Sequence, residues 1–278
     1  MPTQKNQQAI DQKSVEIIQL TDPHLFENLQ GKLLGVETEK TLMGVLAHIK
    51  THPSEPDLLL LSGDLAQSGH AQVYARLESL FQDIAPEIRA IPGNHDDPAL
   101  MQSILPQSWC EPVTDIGTWR IICLDSSIRR SNAGTLHEDQ LQLIEQSCQQ
   151  SPDRHVLLAV HHNPIPMGST WLDPMMIDNA DQLMTLVGRF ANIKAITWGH
   201  VHQAFDSVYA FGARRAPVRL LSTPATSIQF AVNSANFALD DVPPGYRQLS
   251  LREDGNIETK VIRVPIEGIT PDWKSGGY

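Results

Sequence analysis

Five short polar clusters in this 278-residue sequence carry side chains able to hold a metal: Asp22-Pro23-His24, Gly63-Asp64, Gly93-Asn94-His95-Asp96, His161-His162 and Gly199-His200-Val201-His202. Asp22, Asp64 and Asn94 offer oxygen, while His24, His161, His200 and His202 offer imidazole nitrogen. No thiolate joins them. Mixed nitrogen and oxygen ligation suits Fe, Mn, Zn, Co or Ni rather than Ca or a soft-thiolate ion. A carboxylate such as Asp64 can give one oxygen to each of two ions. In extended backbone, the two-residue spacing of Asp22 with His24, and of His200 with His202, would put each pair on one side of the chain. Two divalent ions balanced by Asp22, Asp64 and one bridging hydroxide would leave about one positive charge, enough to attract a phosphodiester monoanion. Any one of these histidines alone is an ordinary hydrogen-bonded residue. Seven ligand-type side chains gathered together have no packing role, and uncompensated they would carry a desolvation cost.

The elements that must position them are legible as apolar runs. Val15–Leu20, Asp57–Leu61, Ile88–Ile91, Trp119–Asp125, His155–Val160 and Ile193–Trp198 read as strands. Each polar cluster begins where one of these runs ends, the edge at which open α/β sheets build ligand sites. Helical spacing places helices at 38–50, 71–84, 137–149 and 178–190, the first started by Thr38 and Glu39. Asp96 and Asp97 suit the cap of a short helix from Pro98. Beyond His202 the helical signal fades, and 205–211, 218–222, 246–251 and 257–264 read as added antiparallel strands, with a hairpin at Asp254-Gly255. On a strand, His162 would point away from His161 and reads as structural, or else as a support behind the ligands, the structural reading being ahead. The closing TPDWKSGGY reads as a loose tail.

In this order the motifs DPH, GDL, GNHD, HH and GHVH resemble the calcineurin-like metallophosphoesterase signature D-x-H…G-D…G-N-H-[DE]…H…G-H-x-H. The stretches LLGVET, GDLAQ, HHNPIPMGSTWLD, TPATSIQF and NFALDDVPPGYRQL are further similar to the bacterial class III 3′,5′-cyclic AMP phosphodiesterases. That resemblance implies a four-layer α/β/β/α sandwich with two mixed sheets, as one domain over residues 1–278 with tails at 1–13 and 270–278. It implies one metal on Asp22, His24, Asp64 and His202, a second on Asp64, Asn94, His161 and His200, and Fe²⁺ or Mn²⁺ ahead of Zn²⁺ or Co²⁺. The implied reaction is hydrolysis of 3′,5′-cAMP to 5′-AMP by a metal-bridging hydroxide. His95 would be the catalytic proton donor to the 3′ oxygen, and His24, Asp64, Asn94, His95 and His202 would surround the substrate phosphate. Another phosphoester substrate on the same site is the alternative: a phosphomonoester, a 2′,3′-cyclic nucleotide or a nucleotide sugar. Some relatives carry an acidic residue where this chain has Gln67, which would make a neutral partner for His95. The 171–173 and 223–230 stretches would shape the nucleotide pocket.

Composition narrows the partners. With 21 Lys+Arg against 32 Asp+Glu, the net charge of −11 disfavours nucleic acid and anionic membrane surfaces. Cys110, Cys123 and Cys148 form no CxxC and suit a reducing compartment. The polar start lacks a secretory signal, and no apolar stretch reaches the roughly 18 residues of a membrane span. The expectation is a cytoplasmic enzyme acting on a small cyclic nucleotide, as a monomer or homodimer.

Overall fold

The computed structural model describes residues 14–52, 55–212 and 217–277. The chain forms strands β1 (Ser14–Leu20), β2 (Lys32–Leu33) and β3 (Val36–Glu37), then helix α1 (Thr38–Thr51). Next come β4 (Leu58–Ser62), α2 (Ala71–Phe81), β5 (Glu87–Ile91), α3 (Pro98–Ile104), β6 (Val113–Ile116) and β7 (Trp119–Cys123). Helix α4 (Glu138–Gln150), β8 (His155–Ala159), α5 (Ala180–Arg189) and β9 (Ile193–Trp198) follow. Strands β10 (Phe205–Tyr209), β11 (Val218–Ser222), β12 (Gly245–Arg252) and β13 (Ile257–Arg263) complete the order.

Two mixed sheets result, ordered β13-β12-β1-β4-β5 and β10-β11-β9-β8-β7-β6. Their apolar runs are continuous because both faces are covered. Ile17, Leu58 and Leu60 of the first sheet pack against Ile121, Leu157, Ala195 and Leu221 of the second. The alternate residues Ile18, Leu20, Leu59 and Leu61 meet Leu42 and Val45 of α1 and Leu77 of α2. On the far side, Ile122, Leu158 and Ile196 meet Ile144 of α4 and Leu183 and Val187 of α5. Period-two alternation thus generates helix, sheet, sheet, helix, the four layers expected.

Some local expectations change. Strand β11 runs parallel to β9 and only its other edge pairs antiparallel with β10, so the late strands are not a separate antiparallel block. Strand β12 returns to the first sheet, antiparallel to β1, and turns into β13 at Gly255, where φ is +87°. Helix α1 starts at Thr38 with Glu39 in its first turn, as expected; Glu37 at the N-cap position makes no side-chain cap bond, and the Thr38 hydroxyl donates to the His24 carbonyl at 2.9 Å. Asp97 caps α3 through the Leu100 N–H, but Asp96 accepts instead from the backbone N–H groups of Leu65, Ala66 and Gly93. The three cysteines are free, as their spacing suggests.

Candidate metal centre

Strands β1, β4 and β5 are mutually parallel in one sheet, and β8 and β9 are parallel in the other. Asp22 and His24 follow β1, Asp64 follows β4, Asn94 and His95 follow β5, His161 follows β8, and His200 and His202 follow β9. All seven residues expected as ligands converge. Every one except Asn94 is buried; Asn94 and His95 are half-buried.

Extended backbone is not what aligns them. Asp22, His24, Asp64, His200 and His202 all adopt left-handed backbone, with φ between 47° and 62°. For residues other than glycine this conformation costs on the order of 1 kcal/mol each and needs local support. The support is a lattice of backbone bonds: Asp22 N–H to Gly63 O and His24 N–H to Asp64 O at 3.0 Å, and Gly199 N–H to His161 O at 3.1 Å. The carboxylates take part. Asp22 Oδ2 accepts from the His200 N–H at 3.0 Å and the Thr21 hydroxyl at 2.6 Å. Asp64 Oδ1 accepts from the His95 N–H at 2.8 Å. The loops approach so closely that a Cβ on Gly93 would lie 2.1 Å from Asp64 Oδ1.

Each carboxylate's other oxygen faces imidazoles. Asp22 Oδ1 lies 3.3 Å from His202 Nε2, and Asp64 Oδ2 lies 3.3 Å from His161 Nε2 and 3.7 Å from His24 Nε2. The rings are fixed from behind. His202 Nδ1–H donates to the Ile228 carbonyl at 2.8 Å, His161 Nδ1–H to the Ser62 carbonyl at 2.8 Å, and His24 Nδ1–H to Gln67 Oε1 at 2.9 Å. For His24 and His202 these bonds leave Nε2 as an acceptor. Yet His24 Nε2 and His202 Nε2 stand 3.1 Å apart. Asp22 Oδ1 and His200 Nε2 are buried with no hydrogen-bond partner. Acceptors crowded against acceptors are satisfied by a cation, so the donor set fits a divalent metal. Asp22, His24 and His202 offer ligand atoms within 4.8 Å of one another, as do Asp22, Asp64 and His161.

Electrostatics agree. Burial opposes ionisation of Asp22 and Asp64, but His202 and His161 beside Asp22, and His161 and His95 beside Asp64, hold both carboxyls below the ordinary range. Burial drives His24 down to about 3 and His200 well below its usual value, so both imidazoles are neutral and able to ligate. In the metal-free protein His161 takes the opposite course. Burial lowers it, but the Asp64 carboxylate outweighs burial and lifts it to about 9.

Two residues play parts that spacing did not suggest. His162 lies beyond the end of β8, so strand alternation does not turn it away. Its ring centroid sits 4.6 Å from that of His200, its Nδ1 is 2.8 Å from Ser126 Oγ, and its buried Nε2 has no hydrogen-bond partner. It shares a 4.8 Å group with His161 and His200. The HH doublet itself is the signal that would have found it. Gln67 orients His24 with its side chain, whereas His95 Nδ1–H donates to the Gln67 main-chain carbonyl at 2.9 Å. The partner of His95 is therefore independent of which side chain stands at 67. The 223–230 stretch buttresses the first motif: Thr226 N–H donates to Thr21 O at 3.0 Å, and Ser227 Oγ to Asp22 O at 2.7 Å. Phe230 stacks on His202 at 4.1 Å, and Trp171 meets Phe230 edge-on at 5.1 Å.

A two-sheet α/β sandwich with a buried oxygen- and imidazole-lined metal site at its strand ends defines a metal-dependent phosphoesterase scaffold. The chain belongs to the calcineurin-like phosphoesterase family, whose profile it matches over residues 15–204. It is 37% identical, over the full length of both chains, to the 3′,5′-cyclic adenosine monophosphate phosphodiesterase CpdA of Pseudomonas aeruginosa. Identity to CpdA of Escherichia coli is also 37%, over 95% of each chain. Among solved structures, a dimetal phosphatase from Danio rerio shares the fold at a TM-score of 0.58 and 15% identity, covering 91% of this chain and all of that one. No helix among the described residues is long and apolar enough to cross a membrane.

Proposed function

We propose that this protein hydrolyses 3′,5′-cyclic AMP to 5′-AMP with two metal ions at the strand-end centre. The supporting observation is a cavity of about 340 Å³ that joins Asp64, Asn94, His95 and His200 to an aromatic wall of Trp171, Phe230 and Phe237. One end of this lining is polar and suits a phosphate; the other suits a flat base. The full-length similarity to CpdA favours the cyclic nucleotide over other phosphoesters.

Asp22, His24, Asp64 and His202 would hold one ion, and Asp64, Asn94, His161 and His200 the other, with Asp64 shared. Iron or manganese fits this donor set, with zinc or cobalt as substitutes. When bound, such ions supply Lewis acidity toward the phosphate and lower the pKa of water. The chain's own residues do the rest. The carboxylates are pinned by backbone N–H groups, so their free oxygens need no reorganisation. His24, Asp64, Asn94, His95 and His202 would surround the phosphate, with Asp64, Asn94 and His95 in the cavity lining. With Nδ1–H held on the Gln67 carbonyl, protonated His95 can give the Nε2 proton to the departing 3′ oxygen. A cytoplasmic setting follows from this substrate.

Metal-loaded protein assayed on cAMP, cGMP, 2′,3′-cyclic AMP and p-nitrophenyl phosphate tests the assignment. The expected result is the highest kcat/KM on cAMP, with His95→Ala keeping its metal but losing roughly 10²–10⁴ in turnover. Faster turnover of the monoester would refute the substrate, and undiminished His95→Ala activity would refute the proton donor.

A further inference from the structure

The residues after β13, of which the closing TPDWKSGGY reads as a loose tail, cross the molecule as far as Gly277 through a series of contacts. Ile266 packs over Gly44 of α1, where a Cβ would lie 2.1 Å from its Cδ1. The Lys40 ammonium donates to the Glu267 carbonyl at 2.8 Å. Ile269 joins the small apolar cluster of Leu33, Val36, Ile228 and Phe230, the last of which stacks on His202. Asp272 N–H then donates to the Leu34 carbonyl at 2.7 Å in the β2–β3 turn. Asp272 turns the chain, its Oδ1 accepting from Lys274 N–H at 3.1 Å and its carbonyl from Ser275 N–H at 3.1 Å. The path ends with Gly276 and Gly277 in the lining of the cavity that holds Asp64, Asn94, His95 and His200.

The two glycines are not explained by packing. A Cβ on either would meet no protein atom within 4 Å. Both are exposed, and Ser275 Oγ closes the turn by donating to the Gly277 carbonyl at 2.9 Å. Gly277 is required by its own backbone, at φ +136°, but Gly276 is not, so polypeptide anchored by four successive contacts reaches the active cavity at Gly276 as bare backbone with room beside it for a ligand.

We propose that the backbone of Gly276 and Gly277 is a substrate-contacting wall of the active cavity that sets specificity for the nucleoside part of the ester. The proposal rests on the phosphodiesterase reading above. On that reading the phosphate sits at the metal centre, so the attached nucleoside would occupy the lining beyond it, where the aromatic residues and this backbone lie. A wall of this kind affects a nucleotide and leaves a small diester indifferent.

Two variants of the full metal-loaded protein test it: a stop after Lys274, which leaves every anchor from Ile266 to Asp272 in place, and Gly276→Val, which adds bulk where the fold has space. Each is assayed on cAMP and on methyl p-nitrophenyl phosphate, a diester without base or ribose. The expected result is at least about a tenfold fall in kcat/KM for cAMP, carried mainly by KM, with the small diester within about twofold of the parent. Equal losses on both substrates, or no loss on cAMP, would overturn the wall. Parent protein inactive on cAMP but active on the small diester would instead defeat the substrate reading, and the wall with it.

Discussion

Stripping the metal should destabilise the fold by an amount the geometry sets. Asp22 Oδ1 and His200 Nε2 are buried without partners, and the Nε2 atoms of His24 and His202 face each other at 3.1 Å. An unsatisfied buried acceptor costs about 1–3 kcal/mol, so two orphans and one opposed pair together cost roughly 4 kcal/mol that a bound cation relieves. Unfolding entropy near 2.1 cal/mol/K per residue gives about 0.6 kcal/mol/K for 278 residues. The stripped protein should therefore melt about 7 °C below the loaded one. Scanning fluorimetry on protein stripped by a chelator, verified by elemental analysis and then reloaded, reads this directly. Re-addition of Mn²⁺ should restore the melting temperature. A shift under about 1 °C, in a sample shown to be metal-free, would mean that the opposed acceptors do not need a cation, and the fit argued from them would be wrong.

Three further perturbations probe the supports. In stripped protein His161 sits at about 9, raised above its unfolded value near 6.5, so its pairing with Asp64 stabilises the fold fully below about pH 6.5 and ceases to do so as pH rises through about 9. The melting-temperature gain on metal loading should accordingly grow between pH 6.5 and 9, and a gain independent of pH would contradict the assignment. Gln67→Ala removes the acceptor of His24 Nδ1–H and should weaken metal binding about 10–100-fold in a competitive chelator titration, while the His95 contact to the main-chain carbonyl persists; unchanged affinity would show that His24 needs no such support. Asp96→Ala strands three backbone N–H groups and the Tyr74 hydroxyl and should cost about 3 kcal/mol or more in urea unfolding, with equal stability counting against its role as loop tie.

What the sequence displayed and what it hid divide along one physical line. Strands β1, β4, β8 and β9 are legible to within a residue because continuous apolar runs suit strands covered on both faces. The four-residue β6, whose side chains are all at least partly exposed, carries no such signal, and neither does the two-residue β2–β3 hairpin. The direction of β11 was hidden because pairing with β9 depends on where the chain crosses back, which no local pattern states. At the site the ligand types were plain, but their aim was not. Left-handed backbone at Asp22, His24, Asp64, His200 and His202 runs against the preference of every one of these residues. Local rules fail there because long-range bonds impose the conformation: His200 N–H on Asp22 Oδ2 joins positions 178 residues apart, and His95 N–H on Asp64 Oδ1 joins positions 31 apart. The same bonds separate two roles within each carboxylate. One oxygen fixes the loops, leaving the other for the ion. Because that fixing oxygen is held by backbone, loss of the cation removes the charge that relieves the crowded acceptors without removing what positions them. Strain at the five turns is thus held by the fold, and the ion finds its donors already in place.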